Sequence, residues 1–225
     1  IGGQLLIASV PPRKEEMMRS INYYCNVLPE LDVTFRLGQE FSEKDYASFD
    51  EVIVATGATN AIIPVPGKDL PTVVSAWDVL AKKEIVFGKV SVIGGGLVGV
   101  ETAEYLASRG CKVTIVEMMD QIAKEESNTV LPTLIKELNS HEVEVLTSAK
   151  LMEITENAVI VEKTVDEKTE KAEVASDFVV MAVGAKKNVA ELNNCTLPIH
   201  YVGDCAGERP SNIDHAIKIC LRRSM

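Results

Sequence analysis

Two kinds of hydrophobic pattern alternate along the chain. Short continuous apolar runs bounded by Gly or Pro predict buried strands of a parallel sheet, whereas apolar positions recurring every three or four residues predict helices. Residues 14–27, which follow Pro11-Pro12, show the helical spacing. Further helices are predicted at 97–109, at 128–139 and from 213 to the end with Ser211 as a cap. Strands are predicted at 33–37, 52–55, 90–93, 112–117, 142–146, 178–183 and 199–202, with an antiparallel meander of 151–155, 158–164 and 172–175 and a turn at 166–170.

One predicted strand–turn–helix–strand unit carries the most specific motif. An apolar run leads into Gly94-Gly95-Gly96-Leu97-Val98-Gly99, which has the G-x-G-x-x-G spacing, and a helix follows. In such a unit Gly94 permits the tight turn, Gly96 lets a pyrophosphate approach the backbone, and Gly99 lets the helix pack on the strand. The N–H groups of the first helical turn, which contains Leu97 and Val98, then face the phosphates. The motif predicts a dinucleotide site, with a glycine-rich turn that holds no ligand as the alternative.

Glu117 closes the second strand of this unit and bears on which dinucleotide binds. A carboxylate at that point accepts hydrogen bonds from the adenosine ribose diol and repels a 2′-phosphate. A site for the phosphorylated cofactor favours an Arg after the strand, but Met118-Met119-Asp120 follow here. NADH is therefore predicted over NADPH, and the alternative is an ordinary solvated acid at the end of a strand.

Charge and cysteine content narrow the class of protein. A net charge of −10 and a pI near 4.9 argue against a nucleic-acid partner, which needs clustered Lys and Arg. No apolar run approaches the ~20 residues that span a bilayer, and no signal peptide opens the chain, so no membrane partner is expected. The five cysteines are scattered without a C-x-x-C spacing, which predicts reduced thiols and no metal site. These features together predict a cytoplasmic protein.

Segments on both sides of the glycine unit resemble a known enzyme family. V-I-V-A-T-G at 52–57 precedes the unit, and Y-V-G-D at 201–204 follows it. Together with G-G-Q-L at 2–5, S-A-W-D-V-L at 75–80 and E-T-A-E-Y-L at 101–106, they resemble the C-terminal region of the NADH:flavin oxidoreductases related to old yellow enzyme. That branch includes 2-enoate reductase, 2,4-dienoyl-CoA reductase and trimethylamine dehydrogenase.

The resemblance implies an α/β fold with two cofactor domains. In this two-dinucleotide-binding flavoprotein fold, a Rossmann-like NAD-binding domain, with a parallel sheet and a small antiparallel meander, is inserted into an FAD-binding domain. The NAD-binding domain is expected at 83–177, and an incomplete FAD-binding domain at 1–82 and 178–225.

The resemblance also implies cofactor contacts. Asp204, after Gly203, is similar to the aspartate that hydrogen-bonds the ribityl chain of FAD. Glu101 matches a glutamate that helps hold the nicotinamide end, and Gly184 matches the glycine at the crossover where the nicotinamide lies. Gly2-Gly3-Gln4 is similar to the loop that runs along the flavin, and Ala55-Thr56-Gly57 is similar to the turn that passes its phosphate side. The plain alternatives are that Asp204 caps a turn, Gly57 supplies a positive φ and Glu101 is an exposed acid of the first helical turn.

The chain departs from the family pattern in two places. The opening strand of the FAD domain would precede Gly2, as would a flavin barrel with FMN and a 4Fe-4S cluster, so these are expected on a missing N-terminal part. Ala185-Lys186-Lys187-Asn188 stands where relatives often have Arg-Pro-Asn, which leaves the nicotinamide-end contacts open. Loss of a central strand exposes sheet edges. We therefore expect 83–177 to fold well and the FAD-binding part to be loosened or buried by self-association.

The predicted function is that of an NADH-binding, FAD-facing module. In the family, hydride passes from NADH to flavin, and the electrons reduce an activated C=C bond on the barrel. One alternative is a non-catalytic adenine-nucleotide-binding or subunit-docking module. Another is a fragment of a pyridine nucleotide-disulfide oxidoreductase, which the absent C-x-x-C weakens. No catalytic acid or base is predicted, and the chain is expected to be inactive on substrate by itself.

Overall fold

The computed structural model describes residues 1–42, 45, 48–165 and 168–206. The helices are α1 Gln4–Ala8, α2 Met17–Glu30, α3 Ala76–Leu80, α4 Leu97–Ala107 and α5 Leu131–Ser140, and a 3₁₀ turn spans Gly203–Cys205. The strands are β1 Val52–Val54, β2 Ala58–Asn60, β3 Val73–Ser75, β4 Lys89–Ile93, β5 Lys112–Val116, β6 Glu144–Leu146, β7 Ala149–Ile154, β8 Ala158–Val165, β9 Lys168–Ala175, β10 Phe178–Met181, β11 Ala185–Lys187 and β12 Ile199–Tyr201.

The described backbone forms two compact units. Unit 1 comprises Ile1–Tyr24 and Asn60–Gly184, and unit 2 comprises Cys25–Thr59 and the described residues from Ala185 onward. Among the described helices, none is both long and apolar enough to cross a membrane.

A five-stranded sheet in the order β3-β10-β4-β5-β6 organises unit 1, and its neighbouring strands are parallel. Alternate residues of β4 face opposite sides: Val90 and Val92 pack with residues of α3, α4 and α5, whereas Ile93 packs with the antiparallel sheet β7-β8-β9. Both faces of the parallel sheet are therefore covered. This double burial explains why its strands read as continuous apolar runs in the sequence.

The antiparallel sheet supplies the second layer of the core. In β8, Val159 and Val161 are fully buried against the parallel sheet, while β9 at the sheet edge is mostly exposed. The long β8–β9 pairing runs from Ala158↔Ala175 to Val165↔Lys168. One layer of helices and one antiparallel sheet thus enclose the parallel sheet.

The described residues of unit 2 include one whole strand pair and most of a second, since Asn60 at the end of β2 belongs to unit 1. β1 and β12 are parallel, with Val54 opposite Tyr201, and β2 pairs with β11. Beyond the first pair, the Val202 N–H donates to the Val54 carbonyl at 2.9 Å. The loops that follow β1 and β12 therefore both begin at the carboxyl ends of these two parallel strands.

The expected α/β fold class, with its parallel sheet and antiparallel meander, is confirmed. The strand predicted at 33–37 is wrong, because these residues are exposed and no described strand pairs with them. The turn predicted at 166–170 is also wrong from residue 168 on, because cross-strand pairing keeps Lys168 in β9. The helix predicted from 213, with its Ser211 cap, lies outside the described residues.

The domain boundaries predicted at residues 82 and 178 cut through the parallel sheet. β3 and β10 lie outside the range 83–177, yet β10 pairs with β4 from Phe178↔Val90 to Met181↔Ile93. The division into NAD-binding and FAD-binding parts stays a prediction.

Candidate dinucleotide site

The glycine turn between β4 and α4 is packed closely at three positions, and at two of them the nearest atom is backbone. A Cβ built on the third, Gly95, would lie 2.5 Å from Ile122 Cγ2. Gly94 has a φ of +104°, and a Cβ built there would lie 2.4 Å from the Ala182 carbonyl oxygen. A Cβ on Gly99 would lie 1.9 Å from the Gly94 carbonyl oxygen. The first glycine therefore permits the turn and the last permits helix α4 to approach it, as the motif requires.

Gly96 has the opposite surroundings. It is the N-cap of α4, no side chain hydrogen-bonds there as a cap, and a Cβ would meet no heavy atom within 4 Å. The first helical bond joins the Val100 N–H to the Gly96 carbonyl at 3.0 Å. The amides ahead of Val100, including those of Leu97 and Val98, lack carbonyl partners within the helix. Open space beside uncapped amides at a positive helix end suits a phosphate group.

Glu117 is fixed to this turn by both of its carboxylate oxygens. Its Oε2 accepts from the Gly95 N–H at 2.6 Å, and its Oε1 accepts from the Met119 N–H at 2.7 Å. The residue is only 9% exposed. The carboxylate thus connects the glycine turn to the loop after β5. The strand-end position of Glu117 is visible in the sequence, but these two backbone contacts were not predicted.

Glu101, on the second turn of α4, is paired with a cation that the sequence did not assign. The Lys14 ammonium lies 2.5 Å from Glu101 Oε1, and the Glu101 side chain is 13% exposed. Burial raises the pKa of the Glu101 carboxyl, and the hydrogen bond and charge of Lys14 oppose this rise. Glu101 is therefore a paired, largely buried acid rather than an exposed residue of the first turn.

A second ion pair lies one turn further along α4. Glu104 is 2% exposed, and its two oxygens meet Arg13 at 2.9 Å and 2.7 Å. The pair forms one side of a cavity of about 160 Å³ that Leu97 and Glu101 also line. Residues 13 and 104 are 91 positions apart, so no local spacing rule could have joined them.

In unit 2, the structure brings together two of the segments that match FAD-binding loops. Ala55-Thr56-Gly57 follows β1, and Gly203-Asp204 follows the paired strand β12. Asn188 holds the first loop, because its N–H donates to the Gly57 carbonyl at 2.9 Å and its side-chain amide donates to the Thr56 carbonyl at 3.3 Å. Ligands of open α/β sheets bind at such carboxyl ends of parallel strands.

The other predicted positions belong to unit 1. Gly2 and Gly3 have φ values of +105° and +49°, and Gln4 begins α1. Gly184 has a φ of +100°, and its carbonyl accepts from the Ala61 N–H at 3.0 Å. The residues that match FAD-binding positions are thus divided between the two units.

A parallel α/β sheet with a glycine turn, an uncapped helix start and an anchored strand-end acid defines a dinucleotide-binding domain. The chain belongs to the pyridine nucleotide-disulphide oxidoreductase family, whose model matches residues 26–201. The oxidoreductase class expected from the sequence is thereby confirmed.

Individual relatives are similar over most of the chain. It is 46% identical to a bilirubin reductase of Mediterraneibacter gnavus (strain CC55_001C) over 223 residues, which cover 97% of this chain and 34% of the relative. It is 31% identical to a cinnamate reductase of Clostridium sporogenes over 192 residues, which cover 82% of this chain and 28% of the relative. The structure of a 2-naphthoyl-CoA reductase–2-naphthoyl-CoA complex matches 97% of this chain and 33% of its own, with 25% identity and a TM-score of 0.88.

These similarities confirm the resemblance to the dinucleotide-binding region of the reductases related to old yellow enzyme. The chain spans about a third of the length of these relatives.

Proposed function

We propose that the chain binds NADH at the glycine turn of unit 1 and serves hydride transfer from NADH to FAD. The observation that carries the proposal is the start of α4, where an uncapped helix end and the open space at Gly96 adjoin the anchored carboxylate of Glu117. This arrangement offers N–H donors to a pyrophosphate and an acceptor to a ribose diol.

Each predicted residue then has a role in binding or orientation. The backbone at Gly96, Leu97 and Val98 holds the pyrophosphate, and Glu117 accepts from the ribose hydroxyls and disfavours the 2′-phosphate of NADPH. Glu101, with its Lys14 partner, orients the nicotinamide end.

The remaining positions concern the flavin. The paired loops Ala55-Thr56-Gly57 and Gly203-Asp204 of unit 2 are proposed to contact FAD, and Gly2-Gly3-Gln4 of unit 1 is proposed as a further FAD contact. Gly184 is proposed to contact the nicotinamide. Bound FAD supplies an acceptor for the hydride and a route for its electrons toward a substrate.

We place the reduced substrate outside this chain, because the chain spans about a third of its relatives. An activated C=C bond is the proposed substrate class, since the matched cinnamate reductase is named for an unsaturated acid. FMN and a 4Fe-4S cluster are proposed to lie with that substrate site. A non-catalytic nucleotide-binding module is the alternative outcome of the test below.

Calorimetric titration of the 225-residue chain with NADH and NADPH tests the cofactor proposal. We expect saturable NADH binding, weaker NADPH binding, and at least a tenfold loss of NADH affinity in Gly96→Asp, about 1.4 kcal/mol, because the new carboxylate faces the pyrophosphate. Ser108→Asp, at the exposed C-terminal end of the same helix, is the matched control and should retain NADH binding.

Tighter binding of NADPH would overturn the assigned preference. Absence of binding by either nucleotide would refute the proposed site in this chain. Titration with FAD, followed by the change in flavin absorbance, tests the flavin assignment separately. Glu101→Gln should weaken NADH binding and leave FAD binding unchanged if Glu101 contacts the nicotinamide end alone.

A further inference from the structure

Two adjacent cations of the N-terminal segment pair with two acids on one face of α4. Glu101 and Glu104 are three residues apart in a helix and so project from neighbouring positions. Lys14 pairs with the first, and Arg13 pairs with the second. The segment after Pro12 is therefore attached to the helix that begins at the glycine turn.

The two pairs differ in how deeply the acid is buried, and in both the cation is the more exposed partner, with the Arg13 side chain 49% exposed. Glu104 is 2% exposed, whereas the Glu101 side chain is 13% exposed. A buried carboxylate needs a charged partner, and the guanidinium supplies one hydrogen bond, from Arg13 Nη2 to Glu104 Oε2 at 2.9 Å, and one ion-pair contact, between Nη1 and Oε1 at 2.7 Å. Lys14, a single ammonium on a flexible stem that is 30% exposed, lacks the forked donors of a guanidinium.

Arg13 lies in a turn that the Lys14 N–H closes by donating to the Pro11 carbonyl at 3.2 Å. The Arg13 φ of +67° lies in the left-handed region, which a non-glycine side chain adopts at a cost. The ion pair with Glu104 fixes the side chain of the same residue. Since Lys14 is its immediate neighbour, the direction in which Lys14 leaves the backbone depends on this anchored conformation.

We propose that Arg13 is a positioning residue, which anchors on Glu104 and thereby holds the Lys14 ammonium against Glu101. Its functional consequence rests on the proposed nicotinamide site, because Glu101 is assigned to that end. The charge state of Glu101 is then set from a segment 87 residues away in sequence, through Lys14.

The groups around Glu101 determine the direction of the effect. Burial raises the pKa of Glu101, Lys14 lowers it, and the negative charges of Glu126 and Glu104 raise it. Arg13 itself also has Glu137 at 3.9 Å. If Arg13 no longer anchors the segment, Lys14 moves into solvent and Glu101 keeps its proton to higher pH. An opposite charge at this distance lowers a carboxyl pKa by roughly 1–3 units.

The test is a ¹³C NMR titration of the glutamate carboxyls of the full chain, with the Glu101 signal assigned by its loss in Glu101→Gln. Lys14→Met removes the cation and should raise the midpoint by about one unit or more. Arg13→Met should also raise the Glu101 midpoint. In the double variant Arg13→Met with Lys14→Met, the midpoint should be no higher than in Lys14→Met alone. Arg19→Met, at an exposed arginine of α2, is the matched control and should leave the midpoint unchanged.

Arg13→Lys provides a second variant that keeps a charge opposite Glu104 and loses only the fork, so it remains informative if Arg13→Met does not fold. We expect it to raise the Glu101 midpoint by less than Lys14→Met does. A folded Arg13 variant with a lowered melting temperature and an unchanged midpoint would show a purely structural residue and overturn the proposal. An additive shift in the double variant would also overturn it.

NADH titrations of the same variants separate this proposal from the proposed function. In Arg13→Met, NADH affinity should change with pH at the shifted midpoint. If the wild-type chain binds no NADH at any pH, the proposed function fails, while the carboxyl titration still decides whether Arg13 positions Lys14.

Discussion

Two glycines of the same helix have opposite steric surroundings, and alanine substitutions should separate their roles. A Cβ at Gly99 would lie 1.9 Å from the carbonyl oxygen and 3.0 Å from the carbonyl carbon of Gly94. Both atoms are backbone, so the contact is relieved only if α4 or the turn moves by about 1 Å or more. At Gly96, whose φ is −67°, a Cβ meets nothing within 4 Å.

The expected magnitudes follow from these distances. Alanine is favoured over glycine inside a helix by about 1 kcal/mol, whereas overpacking a tight core costs about 1–3 kcal/mol. The contact at Gly99 is with a rigid carbonyl, so we take the upper end and expect a net loss of about 2 kcal/mol in Gly99→Ala. In Gly96→Ala, the change at an N-cap should stay within about 1 kcal/mol.

Urea unfolding measures the stability of the two variants, and calorimetry with NADH measures their binding. Gly96→Ala should fold with a free energy of unfolding close to that of the wild type and lose NADH affinity at least about tenfold, because the methyl group occupies the phosphate approach. Gly99→Ala, by contrast, should mainly lower the free energy of unfolding. Wild-type stability in Gly99→Ala, or wild-type NADH affinity in Gly96→Ala, would refute the assignment of packing to one glycine and ligand approach to the other.

Three further substitutions test other parts of the structure. Glu117→Ala leaves the Gly95 and Met119 N–H groups without their acceptor and should lower the free energy of unfolding in urea by about 2–4 kcal/mol; an unchanged value would show that these bonds add nothing. Burial raises the pKa of Glu101 above 4.5, so native chains hold its proton more tightly than unfolded ones and stability falls as pH rises from 4.5 through the raised pKa. Glu101→Gln should remove that part of the fall in urea unfolding at several pH values, and an identical pH profile would contradict a Glu101 pKa raised by burial. Leu138→Ala, at 1% exposure, should cost about 2–5 kcal/mol by thermal or urea unfolding, and a loss under about 1 kcal/mol would contradict its place in the core.

The elements that could be predicted from the sequence are those whose physics is local. The β4–turn–α4–β5 unit has apolar runs, a glycine spacing and a helical period within about 30 residues, so each signal supports the next. The parallel strands are recognisable because both of their faces are covered, which removes polar residues from them. The antiparallel meander is recognisable because β7 and β8 are bounded by turn residues.

The parts that could not be predicted depend on distant partners. Residues 33–37 have the composition of a strand, but a strand also needs a neighbour, and none of the described strands pairs with them. The pairs of Arg13 with Glu104 and of Lys14 with Glu101 join segments about 90 residues apart, and no periodicity encodes such contacts. Asn188 holds the loop at Thr56 and Gly57 in the same way, across 132 positions.

The hydrogen bonds of Glu117 also bear on how a dinucleotide would be selected. Each carboxylate oxygen already accepts one backbone N–H, so the group is fixed before any ligand arrives. The remaining lone pairs can still accept from ribose hydroxyls, since a carboxylate offers about four acceptor positions. A 2′-phosphate would bring its charge against a carboxylate that cannot turn away without breaking the bond to Gly95 in the glycine turn. Rejection of NADPH would therefore depend on the same carboxylate that supports the pyrophosphate site. Glu117→Gln should weaken that rejection and keep part of the hydrogen bonding to the backbone of the turn.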